Sequence, residues 1–320
     1  MGRSGREIVF AAALTLAAAA VLTGPARSQT HAPTIEQART LISQHDYKAA
    51  ISVLDELNRA NPRDAHVLVL RGDAKDYLGD EAGAIADYDA ALAIDPDYEY
   101  AYATKCYSEV EIEKIDRAIA DCSHAISLNP KDGFAYRGRA NAEYLKDDYA
   151  AAFADADRAV ALNDTDAYAF LTRCRANSSL GRLQEAKDDC TRSISIAPTD
   201  SAYFTRGQVL VKVGDYAGAA SDLSETLKLN PGYSPAHYWL AVCEAAQKNV
   251  PAALTDVNAY LSAQGSDPDG LFLRAVLEAK QGKLQATRAD AQEALRQFKL
   301  ANDQDGARRA QSLLDSLPKQ

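Results

Sequence analysis

The sequence predicts an all-α fold, a solenoid of about eight helix-turn-helix units followed by a C-terminal capping helix, and three observations predict it. A segment about 34 residues long recurs eight times between positions 31 and 300. Its trace is the row Asp87, Asp121, Asp155, Asp189, Asp222, Asp256 and Asp290, spaced by 34, 34, 34, 33, 34 and 34 residues. Within each segment, apolar residues return at helical spacing in two runs, and Pro62, Pro96, Pro130, Pro198 and Pro231 stop the second run. A period of this length means units that bury their apolar faces only by stacking on one another.

Taken in chain order, Arg3 and Arg6 precede an apolar run at 8–22, and Gly24-Pro25-Ala26-Arg27-Ser28 supplies small residues after it. This pattern reads as a secretory signal peptide over 1–28. The run of 15 residues is short beside the roughly 20 that a spanning helix needs, and an uncleaved anchor in the inner membrane is the alternative. Export, to the periplasm if the source is Gram-negative, is the expected localisation. The repeat array occupies 29–301, with units near 31–64, 65–98, 99–132, 133–166, 167–199, 200–233, 234–267 and 268–301. The outer units are the least regular: Pro251 opens a helix in the seventh, and Thr287 takes a position that is alanine elsewhere. Over 302–320, Ala307, Ala310, Leu313, Leu314 and Leu317 form one stripe beside Arg308, Arg309, Gln311 and Asp315, as a capping helix and tail require.

One unit read closely runs Leu68-x-x-Arg71-Gly72, then Gly79-Asp80, then Ala84-x-x-x-Tyr88-x-x-Ala91-Leu92-x-Ile94-Asp95-Pro96. With this order of small, aromatic, small and proline positions the chain resembles the tetratricopeptide repeat family. The resemblance implies helical hairpins wound into a right-handed superhelix, with the first helix of each unit facing a concave groove where peptide partners lie. On those groove slots fall Tyr100, Tyr107, Phe134, Arg137, Asn141, Tyr144, Tyr168, Arg175, Phe204 and Gln208, joined by Tyr238 and Phe272. Aromatics give large contact area at modest entropic cost, and Arg with Asn can fix a carboxylate or a peptide backbone. The competing role for each ring is packing against a neighbouring repeat. Arg137 and Asn141 also resemble part of the carboxylate clamp of chaperone-binding members, although Thr172 and Ser201 stand where further clamp residues belong.

Cys106 and Cys122 share their spacing of 16 with Cys174 and Cys190. In the hairpin that the resemblance implies, these two slots meet across the interior, so two disulfides are candidates in an oxidising compartment. The alternative is that cysteine fills two small core slots. Cys243 has no evident mate. Arg71, Lys105, Arg139, Arg173, Arg206 and Arg274 fall on one slot of the first helix while the periodic aspartates fall on one slot of the second. This pattern predicts a structural ladder of ion pairs rather than a ligand site.

Loss of 1–28 removes three arginines and one glutamate and moves the formal charge from -10 to -12. No basic stripe suited to phosphate backbones is present, so nucleic acid is not an expected partner. His31, His45, His66, His124 and His237 are scattered without metal-ligand spacing. The Ser-Asp-Pro-Asp-Gly stretch at 266–270 has the composition of a calcium loop but sits where an inter-repeat turn is due. With no phosphate loop and no nucleophile elbow, neither a catalytic residue nor a metal or other cofactor is expected. The reading is a non-enzymatic scaffold or adaptor of the cell envelope that binds a protein or peptide through its groove. A self-associating assembly component is the alternative, and membrane contact is expected only if the N-terminal segment stays uncleaved.

Overall fold

Repeats of this kind form because neither helix of a unit can cover its own apolar face, and the computed structural model, which describes residues 33–318, shows how each is covered. Segment 1–28, which the sequence reading takes as a signal peptide, lies outside the described residues. Chain contacts divide the described residues into two units, 33–164 and 165–318.

The first unit holds α1 (Ile35–Ser43), α2 (Tyr47–Ala60), α3 (Ala65–Tyr77), α4 (Glu81–Ile94), α5 (Glu99–Glu111), α6 (Ile115–Leu128), α7 (Gly133–Leu145) and α8 (Tyr149–Leu162). The second holds α9 (Ala167–Ser179), α10 (Leu183–Ile196), α11 (Asp200–Val213), α12 (Tyr216–Leu229), α13 (Ser234–Ala246), α14 (Val250–Gln264), α15 (Pro268–Lys280), α16 (Leu284–Leu300) and α17 (Gln304–Ser316). The described residues form 17 helices and no strand. Odd-numbered and even-numbered helices up to α16 pair as the A and B arms of hairpins, and α17 packs on α16 and α15. Within each unit, successive A helices touch one another while B helices touch only A helices, so each unit curves with its A helices on the inner side.

Capping and turn chemistry set the helix ends. The carboxylates of Asp46, Asp64, Asp80, Asp132, Asp148, Asp166, Asp215, Asp267 and Asp303 accept backbone N–H bonds at the first turn of the helix that follows. The turn from A to B needs one residue in the left-handed region. Gly79, Gly181, Gly214 and Gly282 fill that slot, and His45, Glu113, Asp147 and Lys248 fill it elsewhere at φ of 60–64°.

Inside each hairpin the A and B helices meet at residues 16 apart. The pairs are Ala38 with Leu54, Gly72 with Tyr88, Ala140 with Ala156, Gly207 with Leu223, Ala241 with Val257 and Ala275 with Ala291, all buried. The A member is always glycine or alanine, while the B member ranges from alanine to tyrosine, because the helices approach too closely for two large side chains. Ala50, Ala84, Ala118, Ala152, Ala186, Ala219 and Ala253 form a second row with no exposed surface. Thr287 continues that row, and its hydroxyl is satisfied by donating to the Lys283 carbonyl at 3.0 Å.

Candidate functional site

The A helices carry the candidate residues because one register position in three or four must face away from the B layer. In the first unit, Tyr107 of α5 and Phe134 of α7 stack with ring centres 4.4 Å apart, and Tyr100 lies 6.4 Å from Phe134. The Tyr107 hydroxyl donates to the Phe134 carbonyl and accepts from Arg137 Nε, each at 2.9 Å. The Arg137 guanidinium sits 5.1 Å from the Phe134 ring centre and 5.5 Å from that of Tyr107, and the residue is only 8% exposed. Asn141 follows one turn later, half-buried, its side chain without a hydrogen bond among the described residues. Tyr144 leans on Tyr149 at 5.4 Å.

Three residues that the sequence reading left out belong to the same face. Asp73 accepts from the hydroxyls of Tyr88 at 2.9 Å and, in a longer contact, Tyr100 at 3.4 Å. Burial outweighs those hydrogen bonds and pushes its carboxyl up to about 7. Asp76 accepts from Ser108 at 2.7 Å. His66 joins Arg39 through Nε2 and Tyr98 through Nδ1, both at 2.8 Å, and burial, with Arg39 beside it, holds its imidazole below the usual range. Asp73 stands on the register of Tyr107, Asn141, Arg175 and Gln208, which is the signal that could have found it.

In the second unit, Arg175 donates to the Ser201 hydroxyl at 2.7 Å, and Phe204 meets Tyr233 edge-on at 4.8 Å. Tyr168 packs against the cluster of Leu171, Cys174, Cys190 and Val209. Gln208 is half-buried and makes no hydrogen bond among the described residues. Tyr238 touches Trp239 and Tyr260, while Phe272 lies under Arg309 of α17 at 5.3 Å. Of the partial clamp, Thr172 spends its hydroxyl on the Tyr168 carbonyl and Ser201 on Arg175. The named residues therefore divide into two groups by unit.

The ladder expected from the periodic charges is present. Guanidinium groups of Arg71, Arg139, Arg173, Arg206 and Arg274 each grip the aspartate 16 positions on, and Lys105 reaches Asp121 at 3.1 Å. Several also reach back to the preceding B helix: Arg71 to Asp55 at 2.7 Å, Lys105 to Asp89 at 2.7 Å and Arg274 to Asn258 at 2.9 Å. The structure brings the sulfurs of Cys106 and Cys122, and those of Cys174 and Cys190, together across the A–B interface, with Cα atoms 5.5 and 5.4 Å apart. Cys243 is buried, and burial raises its thiol to about 11. Among the described residues no His/Cys/Asp/Glu group is arranged to hold a metal, and no helix is long and apolar enough to cross a membrane.

Residues 35–99 and 204–269 match the tetratricopeptide repeat family. A stretch of 61 residues is 38% identical to the DnaJ homolog subfamily C member 7 homolog of Schizosaccharomyces pombe, covering 19% of this chain and 13% of that protein. The chain superposes on the crystal structure of the APC/C hetero-tetramer Cut9–Hcn1 with a TM-score of 0.70 at 15% identity, covering 88% of this chain and 54% of that one. It therefore spans about half the length of that structure and a small part of the yeast relative. A tetratricopeptide repeat protein from Parabacteroides merdae gives 0.57 at 19% identity, covering 76% and 96%. PilF of Pseudomonas aeruginosa gives 0.58 at 14% identity, covering 67% and 96%. At these identities the likeness is one of fold.

Proposed function

The chain is a tetratricopeptide repeat protein, and we propose that it is a non-enzymatic adaptor of the cell envelope that holds a protein or peptide segment along its A-helix face. The observation that carries this reading is the Tyr107, Phe134 and Arg137 cluster beside Asn141. A guanidinium is fixed over two aromatic rings, and one turn away stands an amide whose side chain has no hydrogen bond among the described residues. An ordered cluster of this kind contributes aromatic area and directional hydrogen bonds while costing little additional ordering on binding. The half-buried Gln208 gives the second unit the same chemistry.

Export rests on residues 1–28, with their basic start, apolar run and small residues. The two cysteine pairs support it, since disulfides persist in oxidising compartments. The test is capture from an envelope extract, followed by titration of the recovered partner against wild type and an Asn141→Arg/Gln208→Arg variant. Neither residue holds the fold together through a hydrogen bond, so the variant should keep the wild-type circular dichroism and melting curve. Its affinity should fall by about tenfold or more. Undiminished binding by the variant, or recovery of nothing but the chain itself, overturns the groove reading, and the second result indicates self-association.

A further inference from the structure

Six of the seven ladder aspartates have a second polar neighbour, 12 positions earlier on the A helix, where Asp222 has Leu210, and its identity varies in an informative way. In α3 it is Lys75, whose ammonium lies 2.7 Å from Asp87 Oδ2. In α9 it is Asn177, whose amide donates to Asp189 Oδ2 at 2.9 Å. Both are hydrogen-bond donors. In α5, α7, α13 and α15 the same position holds Glu109, Glu143, Glu244 and Glu278, opposite Asp121, Asp155, Asp256 and Asp290. One Oε2 of each glutamate is buried without a hydrogen-bond partner. Two ionised carboxylates facing each other there would repel and leave lone pairs unsatisfied.

The cations present do not relieve that conflict. Arg139 is committed to Asp155 through Nε and Nη2, at 2.5 and 2.9 Å, and its Nε stands 3.8 Å from Glu143 Oε1. Asp148, at the start of α8, adds a further negative charge. Around Glu109 stand Asp121 and Arg117 from α6 and Lys105 from α5, the last bonded to Asp89 and Asp121. Glu244 faces Asp256, which His237 of α13 contacts at 2.6 Å. Glu278 faces Asp290, with Arg274 on its own helix and Lys283 at the cap of α16. A single proton on the glutamate resolves each site, because the acid then donates where Lys75 and Asn177 donate.

We propose that Glu109, Glu143, Glu244 and Glu278 are neutral acids in the folded chain, each donating its proton to the ladder aspartate of its hairpin, which makes the array a scaffold that tightens in acid and loosens in base. Burial and the facing aspartate push Glu109, Glu143 and Glu244 up to about 7 and raise Glu278. The folded chain thus holds these protons more tightly than the unfolded chain, where a glutamate titrates near 4.5. The stabilising contribution is complete below that value and declines as the pH rises through about 7. Within this window Glu109, Glu143 and Glu244 each raise the unfolding constant by up to about tenfold per pH unit.

Glu143→Gln is the decisive variant, because the glutamine amide keeps the shape and donates to Asp155 at every pH. Urea unfolding of the full chain is followed from pH 5 to 8. The unfolding constant of wild type should rise relative to the variant by up to about tenfold per pH unit, so the variant gains on wild type toward pH 8. In parallel, the carboxyl carbon of Glu143 in selectively labelled protein should report a protonated acid at pH 6 by NMR, a readout that does not depend on the variant folding. An offset between variant and wild type that stays constant across the range, or a carboxyl carbon already ionised at pH 6, overturns the proposal.

Discussion

Replacing Gly72 by alanine tests the close approach of helices A and B directly. A methyl group built on Gly72 would lie 2.5 Å from Tyr88 Cε1, 2.9 Å from Cδ1 and 3.0 Å from Cζ, all inside van der Waals contact. The ring has little room to yield, since Tyr88 is 1% exposed and its hydroxyl is tied to Asp73 at 2.9 Å. Overpacking of this kind costs about 1–3 kcal/mol, while the better helix propensity of alanine returns up to about 1 kcal/mol. The net expectation is a loss of about 1–2 kcal/mol. Urea unfolding followed by circular dichroism measures it.

The control is the same substitution in a Tyr88→Leu background. Ala38 already faces Leu54 in the α1–α2 hairpin, so an alanine–leucine pair fits this interface. Gly72→Ala should then be neutral or slightly stabilising, giving a coupling energy of about 1–2 kcal/mol between the two positions. An equal cost in both backgrounds would refute the argument, because the penalty would then come from the helix itself rather than from the ring.

Two further outcomes are expected. Lys248 occupies at φ of 63° the turn slot that Gly79, Gly181, Gly214 and Gly282 fill elsewhere, so Lys248→Gly should stabilise by about 0.5–1 kcal/mol in the same urea assay; a loss would show that the side chain is needed. A bridge across each cysteine pair would close a loop between residues 16 apart, a constraint worth about 3 kcal/mol in the chain-entropy picture, so a reductant should lower the unfolding midpoint of wild type but not that of a Cys106→Ala/Cys122→Ala/Cys174→Ala/Cys190→Ala variant. The paired slots accept alanine in the Ala140–Ala156 hairpin, and reaction of all five thiols in unreduced, denatured protein would refute the bridges.

The hairpins and the ion-pair ladder were legible in the sequence because buried slots repeat. An aspartate every 33 or 34 residues and a basic residue 16 before it can be found by counting. The groove was less legible, since the outward register is under no shared packing constraint and carries Asp73, Tyr107, Asn141, Arg175 and Gln208 in turn. The sequence reading picked Tyr107, Asn141, Arg175 and Gln208 and passed over Asp73, which shares their register and which the hydroxyls of Tyr88 and Tyr100 mark as part of the face. Glu143 was hidden for a related reason. Four positions after Arg139, it reads as a helix-surface ion pair, and only the structure shows its Oε2 buried without a partner beside a guanidinium already committed to Asp155.

Three kinds of contact now fix one hairpin, and together they bear on what its exposed face can do. The small-against-large pair sets the distance between A and B, the basic residue sets their register through the aspartate 16 positions on, and the donor slot holds that same aspartate from a second side. All three lie on the side of helix A that faces helix B. The opposite side is left to vary without cost to the hairpin, so Tyr107 of α5 with Phe134 and Arg137 of α7 can form a binding cluster on helices whose positions are already determined. A cation that held helix A to helix B from the groove side would compete with a ligand. Placing the ladder behind the A helices removes that competition, and it is why a change in ladder charge should act on the spacing and stability of the hairpins while leaving the chemistry of the groove intact.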